Sequence, residues 1–337
     1  MAIDREAFRR AARAKPDFTF AQGAAALEKH GLGTLDSWEA AGANQTNGIF
    51  RAGGSGGVFF VKIKFRGTTS LTRPGASLRV EAGLTEHIRA HTDLPLPALC
   101  LYDDDTAVFG HPYLVASGLP GRMGRDYFED ESTAPEQRRD LLRQFGAVVA
   151  TINGTAPPPD LPRRDLSHWR EDIRVHLLEN RDLLAALPAE CRPRVERVAG
   201  LLEGIDLLPP PPQNGLLWGD AALHNVLVKD GEICGVYDFE DGALGPLAED
   251  QLHVASEYRV RKPREVYGRP GNAEALWQGY AEAGGRRLEP DPTYLKIKKT
   301  LMGAGFYWFW EVLGALHPRT PEWLENLENG LRDLKET

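Results

Sequence analysis

The chain has 337 residues with 42% hydrophobic content, which is enough for ordinary globular cores and a length typical of two domains. Its 40 basic and 48 acidic residues give a formal net charge of −8, so electrostatics gives no support for binding nucleic acid or an anionic membrane. The three cysteines lie far apart and indicate neither a disulfide framework nor a zinc site.

The N-terminal residues lack the apolar segment of a signal peptide. The longest apolar run, 301–316, contains Glu311 and is short for a membrane span. We therefore expect a cytoplasmic protein without a membrane partner. Its oligomeric state stays open at this stage.

Two glycine-rich segments, Gly42–Gly48 and Gly53–Gly57, separate short β-prone runs. This pattern predicts a three-stranded antiparallel meander. Backbone N–H groups of the first segment, with the side chains of Asn44, Thr46 and Asn47, could contact nucleotide phosphates. A plain hairpin turn is the alternative. The chain has no P-loop motif.

The strand predicted at 58–65 carries Lys62 and Lys64, which share one face because side chains alternate along a strand. In the helix predicted at 74–90, Glu81 falls on the apolar stripe. A buried carboxylate needs a cation, since an unpaired buried charge is costly. Lys62 is the predicted partner of Glu81, with Lys64 as the alternative.

Further strands are predicted at 99–101, at 107–109 and at 112–117, the last running into a Gly/Pro-rich connection. We place a domain boundary between residues 117 and 118. Backbone groups around Ser117 and Leu119 could contact a purine edge at this hinge, and a simple linker is the alternative.

The rest of the chain shows mainly helical periodicity. Helices are predicted at 4–15, 20–30, 135–152, 166–187, 193–203, 273–283, 292–316 and 321–335.

A hairpin is predicted in the middle of the second half, where Asp-Gly at 230–231 lies between two apolar runs. Asp-Gly favours a type I′ turn, in which both central residues need positive φ. The predicted strands are 225–228 and 233–239. Counting back from the turn places Asn225 opposite Val236.

Alternation along these strands puts Asn225 and Asp238 on one face, about 7 Å apart. Asp220 lies on the loop just before. Few, hard oxygen ligands suit Mg²⁺, which takes further ligands from phosphates, and a loop aspartate can accept a proton from an attacking hydroxyl. A turn or cap role for Asp220 is the alternative, because D-x-x-x-x-N also occurs by chance.

These residues resemble the aminoglycoside phosphotransferase and choline kinase family of small-molecule kinases. The resemblance rests on Trp-Gly-Asp220-Ala-Ala-Leu-His-Asn225, on Val-Tyr-Asp238-Phe-Glu-Asp and on Ala-Glu-Asp250. It implies an α+β, bilobal protein-kinase-like fold. A small antiparallel-sheet lobe with one helix would span 1–117, and a larger helical lobe 118–337.

The resemblance also implies a role for each matching residue. Asp220 would be the catalytic base, Asn225 and Asp238 the Mg²⁺ ligands, and Lys62 the phosphate-anchoring lysine paired with Glu81. Asp250 would brace the catalytic loop as a structural residue. ATP, or GTP, would donate the phosphoryl group to a hydroxyl of a small molecule.

The chain departs from the family pattern at two places. Trp218 stands where the family usually has histidine, which concerns the packing of the loop. Gly245-Pro246-Leu247 replaces the usual Gly-Asp-Pro, so one bracing carboxylate is missing.

Acidic residues past Asp238 bear on the acceptor. Glu240, Asp241, Glu249 and Glu257 would suit a cationic acceptor such as an aminoglycoside, and Glu240, Asp241 and Glu257 are the predicted pocket residues. A solvated acidic surface is the alternative. Two other functions stay open: a kinase of a sugar, choline-like amine or amino alcohol without a role in antibiotic resistance, and a nucleotide-binding pseudokinase.

Overall fold

The structure is a computed structural model, and its described residues are 16–43, 47–65, 78–163, 187, 189–203, 213–251, 253–254, 271–288 and 320–335. The predicted helices at 4–15 and 292–316, and nearly all of the one at 166–187, lie outside these residues.

A five-stranded antiparallel sheet occupies the first part of the chain, in the order β1-β2-β3-β5-β4. Its strands are β1 Leu35–Ala43, β2 Asn47–Gly54, β3 Gly57–Lys64, β4 Cys100–Asp103 and β5 Tyr113–Ser117. The predicted meander is confirmed as β1 to β3. The boundary predicted between residues 117 and 118 stays a prediction.

The strand predicted at 107–109 is wrong, because these residues lie in a turn. The Asp103 carboxylate accepts the N–H of Asp105 at 2.9 Å, and the Asp105 carboxylate accepts the N–H of Ala107 at 2.9 Å. Aspartate side chains that bond the backbone two residues later compete with sheet pairing. The apolar pair Val108 and Phe109 instead packs against the sheet core from the turn.

Two helices flank the sheet. α1, Phe20–Lys29, begins with a capping box between Thr19 and Gln22. α2, Leu78–His91, lies between two hydrophobic cores: Leu78 packs with β4 and β5, whereas Leu84 and Ile88 belong to the core of the second half. Glu81 therefore lies on the helix that joins the two halves of the molecule.

The described helices of the second half are α3 Gly124–Glu129, α4 Pro135–Gly154, α5 Arg192–Glu203, α6 Asn272–Glu282 and α7 Thr320–Lys335. α4 and α6 pack closely through glycines at the contact. A Cβ at Gly146 would overlap the carbonyl of Leu276, and a Cβ at Gly279 would overlap the carbonyl of Arg143. α4 also contacts the central hairpin, because the Gln144 side chain donates to the carbonyl of Gly231 at 3.0 Å and accepts the N–H of Ile233 at 2.8 Å.

Two small sheets hold the central segment. β6 Arg122–Met123, β8 Val226–Lys229 and β9 Glu232–Val236 form one, and β7 Asn214–Leu217 with β10 Ala243–Pro246 forms the other. The predicted turn is confirmed, since Asp230 has φ 54° and Gly231 has φ 88°.

The predicted hairpin register is right next to the turn and wrong beyond it. A bulge between Leu227 and Val228 leaves Cys234 without a ladder partner, so Val226, and not Asn225, faces Val236. The Cys234 thiol donates to the carbonyl of Pro120 at 3.1 Å, a contact with a distant segment. Asn225 instead closes a 3₁₀ turn, Leu223–Asn225, before the strand begins.

Candidate active site

Lys62 lies at the junction of the two halves, buried between carboxylates. Its Nζ is 2.9 Å from Glu81 Oε2 and 2.8 Å from Asp238 Oδ1. Lys62 and Glu81 are each 7% exposed, so the predicted ion pair is present and buried. Lys64 does not contact Glu81 in this way; its Nζ lies 3.6 Å from Glu240 Oε2.

Glu240 completes what we call the lysine cluster, made of Lys62, Glu81, Asp238 and Glu240. Its Oε2 is 3.5 Å from Lys62 Nζ. Asn47, buried at the start of β2, donates its amide N–H to both Glu240 oxygens at 3.2 Å. Glu240 thus connects the sheet to the segment that carries Asp238.

The carboxylates of the lysine cluster crowd one another, with oxygens of Glu81, Asp238 and Glu240 all within 4.8 Å. Burial raises the pKa of Glu81 to about 7, since the effect of Lys62 is offset by the two other carboxylates. Burial likewise raises the pKa of Asp238. Burial lowers the pKa of Lys62, but the three carboxylates outweigh this and hold it well above its ordinary value.

Among the residues that the structure describes, the three carboxylates outnumber the two lysines that approach them. Such a surplus of oxygen-borne negative charge fits a hard divalent cation such as Mg²⁺. Asp238 has φ 64°, in the left-handed region, which turns the chain sharply between the hairpin and Glu240. The residues present therefore fit the metal implied by the family pattern.

Asp220 follows Gly219, whose φ is 87° and whose Cα lies so close to the carbonyl of Asp241 that a Cβ would overlap it. Asn225 donates its side-chain N–H to the Asp220 carbonyl at 2.8 Å and to Asp220 Oδ2 at 3.1 Å. With its amide nitrogen used in this way, Asn225 has its amide oxygen as the atom suited to a metal.

The loop that carries Asp220 is held from below by Asp250, which is 1% exposed. The Asp250 carboxylate accepts the N–H of Trp218 at 2.8 Å and of Gly219 at 2.9 Å, and the amide of Asn153 at 2.8 Å. This geometry is that of a brace for the loop.

Trp218, which replaces the usual histidine, is fully buried and stacks on Phe239 with ring centroids 5.6 Å apart. Its indole N–H donates to the carbonyls of Tyr237 and Asp238 at 3.2 and 3.1 Å. Trp218 therefore ties the loop of Asp220 to the segment of Asp238.

Two histidines beside Asp220 were missed in the sequence analysis. His253 Nε2 lies 3.0 Å from Asp220 Oδ1, and His224 Nε2 lies 3.5 Å from Asp220 Oδ2. His253 comes three residues after Asp250 in a helical segment, so the two side chains share one helix face. That spacing was the available signal.

Several other residues predicted to contact the nucleotide or the acceptor lie either outside the described residues or near the end of β5. Asn44, Thr46 and Glu257 lie outside the described residues. Ser117 ends β5, where its N–H donates to the carbonyl of Leu99 and its hydroxyl accepts the Leu99 N–H. Leu119 follows and packs near Gly235 of β9.

The acidic residues past Asp238 do not form a solvated surface where the structure describes them. Asp241 is 4% exposed and Glu249 is 3% exposed. Glu240 lies on the lysine side, as described above. Asp241 is thus buried and Glu240 contacts Lys62, and their role as acceptor-pocket residues stays a prediction.

A family model described as the phosphotransferase enzyme family matches residues 37–289. The chain belongs to the phosphotransferase enzyme family. The matched residues include both halves of the site, from β1 to the segment after α6.

Within the phosphotransferase enzyme family, the chain is similar to viomycin phosphotransferase of Streptomyces vinaceus, with 24% identity over 154 residues. This match covers 44% of the chain and 50% of the relative, so the chain spans about half the length of the curated relative it matches.

Solved structures with the same fold extend over almost the whole chain. Spectinomycin phosphotransferase in complex with ADP and spectinomycin is 14% identical, covers 96% of this chain and 99% of its own, and has a TM-score of 0.55. Macrolide 2′-phosphotransferase of Brachybacterium faecium is 21% identical, with coverages of 91% and 97% and a TM-score of 0.51. The predicted α+β, bilobal protein-kinase-like fold is confirmed.

Among the described residues, no helix combines the length and the apolar character needed to cross a membrane.

Proposed function

We propose that this protein transfers the γ-phosphoryl group of ATP, or of GTP, to a hydroxyl of a small molecule. The observation that carries the proposal is that Lys62 forms ion pairs with Glu81 and Asp238. Asn225 holds the Asp220 carboxylate, and the indole N–H of Trp218 connects the loop of Asp220 to the carbonyl of Asp238. Cation, metal-type ligands and a loop carboxylate are the parts that phosphoryl transfer requires. Membership of the phosphotransferase enzyme family supports the same chemistry.

Lys62 would neutralise phosphate oxygens of the nucleotide, with Glu81 fixing the direction of its ammonium group. The Asp238 carboxylate and the Asn225 amide oxygen would hold Mg²⁺. When bound, Mg²⁺ supplies charge neutralisation and alignment at the β- and γ-phosphates. The loop of Asn47 and the hinge at Ser117 and Leu119 are the proposed further contacts of the nucleotide, together with Asn44 and Thr46.

Asp220 would orient the acceptor hydroxyl and accept its proton as the bond to phosphorus forms. Its side chain is 18% exposed, so the carboxylate reaches the open side of the site. Asp250 would keep the loop backbone in place while Asn225 links base and metal site. Positioning and charge stabilisation then supply most of the rate.

The names of the relatives determine which acceptors are tested first. Viomycin, spectinomycin and macrolides are named with them, so hydroxyl-bearing antibiotics are the first acceptors to test for this chain. Sugars and choline-like amines form the second group, which corresponds to a metabolic kinase.

The test is nucleotide consumption by the purified full chain with Mg-ATP or Mg-GTP across both acceptor groups, followed by mass detection of a phosphorylated acceptor. Asp220→Asn should lower turnover by about 10²- to 10⁴-fold, the range of a general base, while binding of Mg-ATP persists. Near-normal turnover by this variant contradicts the assignment of the base. A gain of resistance in a sensitive bacterium would separate antibiotic from metabolite as acceptor.

A further inference from the structure

The helical segment at 248–251 and 253–254 contacts the catalytic loop twice. Asp250 holds the loop backbone through the N–H groups of Trp218 and Gly219. One turn later, His253 Nε2 lies 3.0 Å from the Asp220 carboxylate. One face of this helical segment thus contacts both the backbone of the loop and the side chain of Asp220.

The Asp220 carboxylate is contacted from two sides. Its Oδ2 accepts the amide N–H of Asn225 at 3.1 Å, and its Oδ1 faces His253. A carboxylate on a single carbon stem rotates freely unless each oxygen has a partner. Contacts at both oxygens fix the rotamer of this carboxylate.

We propose that His253 is a positioning residue that acts through Asp220. The Nε2–H of the imidazole donates to Asp220 Oδ1, both in the cation and in the neutral tautomer with its hydrogen on Nε2, so the proposal does not depend on the charge of His253. The side chain is 27% exposed beside an 18% exposed Asp220, which distinguishes it from a histidine enclosed in a core. The inference rests on the proposed function.

The helix would therefore couple two requirements of the reaction: the position of the loop and the direction of the base. A misplacement of about 1 Å at a reacting group can lower a rate about 10²-fold. Loss of the His253 contact should consequently appear in kcat, while the affinity for nucleotide at the lysine cluster stays unchanged, because His253 contacts Asp220, which is not part of the cluster.

The experiment compares His253→Leu with His253→Gln in the full chain. The Gln side-chain amide can place its nitrogen near the position of Nε2, whereas Leu has no donor. The probe is Mg-ATP, first with water as phosphoryl acceptor and then with any antibiotic, sugar or amine that proves to be phosphorylated. His253→Leu should lower kcat by about 10- to 100-fold at unchanged KM for Mg-ATP, and His253→Gln should recover most of this loss.

A double-mutant cycle decides whether His253 acts through Asp220. Adding His253→Leu to Asp220→Asn should cause almost no further loss, because the two residues work as one unit. Additive losses would overturn the proposal, as would a rise in the KM of the acceptor at unchanged kcat. That second result would make His253 an acceptor contact.

Gln251→Leu is the matched control for a structural effect of the same helical segment. Gln251 bonds Tyr280, Arg286 and Leu288 and does not face Asp220. Gln251→Leu should lower the melting temperature with kcat retained per folded protein, whereas an equal loss of kcat would overturn the positioning role. If Asp220→Asn leaves turnover intact, the proposed base fails and this inference fails with it. If only Asp220→Asn lowers turnover, this inference alone fails.

Discussion

The two sides of the site are built on opposite principles. The lysine cluster gathers three carboxylates around Lys62, and burial holds the pKa values of Glu81 and Asp238 above their ordinary range. The loop that carries Asp220 is held by Asp250, whose buried carboxylate accepts three N–H groups. One side carries surplus charge, and the other carries matched hydrogen bonds.

The difference indicates a division of labour. Hydrogen bonds whose donors and acceptor are all paired keep a loop in one geometry. They offer no unpaired group to a ligand, so the Asp250 brace is not a binding site in itself. Surplus buried negative charge is unfavourable until a cation binds, so that side gains most from binding a divalent metal ion. We therefore expect removal of the Asp250 carboxylate to affect folding first, and removal of the Lys62 ammonium group to affect catalysis first.

The largest expected effect is on the loop side, for Asp250→Ala. This change leaves the N–H groups of Trp218 and Gly219 buried without their acceptor, and the Asn153 amide loses one of its two acceptors. We expect a loss of about 3–5 kcal/mol in the free energy of unfolding, typical for removal of one partner from a buried charged network. Urea denaturation followed by fluorescence measures it.

Asp104→Ala is the control for removal of an aspartate as such. Asp104 pairs with Arg79 on the surface, where the two side chains are 65% and 70% exposed. Its loss should cost less than about 1 kcal/mol. Equal effects of the two variants would show that Asp250 is not a brace.

On the lysine side, Lys62→Met should mainly reduce catalysis. Removing the ammonium group deprives Glu81 and Asp238 of the cation that pairs with them. It also removes the positive charge proposed to neutralise the phosphates of the nucleotide. We expect a loss of about 10²- to 10³-fold in kcat/KM for Mg-ATP, the range for one electrostatic stabiliser.

Lys64→Met is the matched control on the same strand. Its Nζ approaches Glu240 at 3.6 Å, so its loss should reduce kcat/KM by less than about 10-fold. If Lys64→Met were as damaging as Lys62→Met, the phosphate would be shared by both lysines and the assignment to Lys62 would need revision.

The sequence alone was sufficient for features set by local periodicity. Alternation along β3 and the helical stripe of α2 predict Lys62 as the partner of Glu81, with Lys64 as the alternative, and Asp-Gly at 230–231 predicts the turn. These features depend on residues close in sequence, so a single chain reveals them.

Features that depend on contacts between distant segments, or on a local reversal of the backbone, cannot be predicted by counting residues along a strand or helix. The bulge at Cys234 accompanies its contact with Pro120, which shifted the register of Asn225. Asp238 has positive φ, which turns the chain sharply, and Glu240 lies beside Lys62. His253 reaches Asp220 only through packing of its helix beneath the loop.

The smallest expected effect concerns the pH dependence of the lysine cluster. In the folded protein the pKa of Glu81 is about 7, above its ordinary 4.5, because of burial and the neighbouring carboxylates. A pKa raised on folding means that the folded state binds more protons between these two values. The stabilisation from this proton is complete below about pH 4.5 and is lost as pH rises through 7.

Wild-type protein should therefore lose stability relative to Glu81→Gln when the pH is raised from 5 to 8, with a slope of at most about 1.4 kcal/mol per pH unit for one proton. Lys62 does not contribute in this range, because its pKa is raised well above 10.5. Urea denaturation of both proteins at several pH values measures the difference. Parallel stability curves would mean that Glu81 is fully ionised throughout, and that Lys62 alone balances the cluster. A widening gap would show that the charge surplus exists before any nucleotide binds, which is the property that separates this side of the site from the loop.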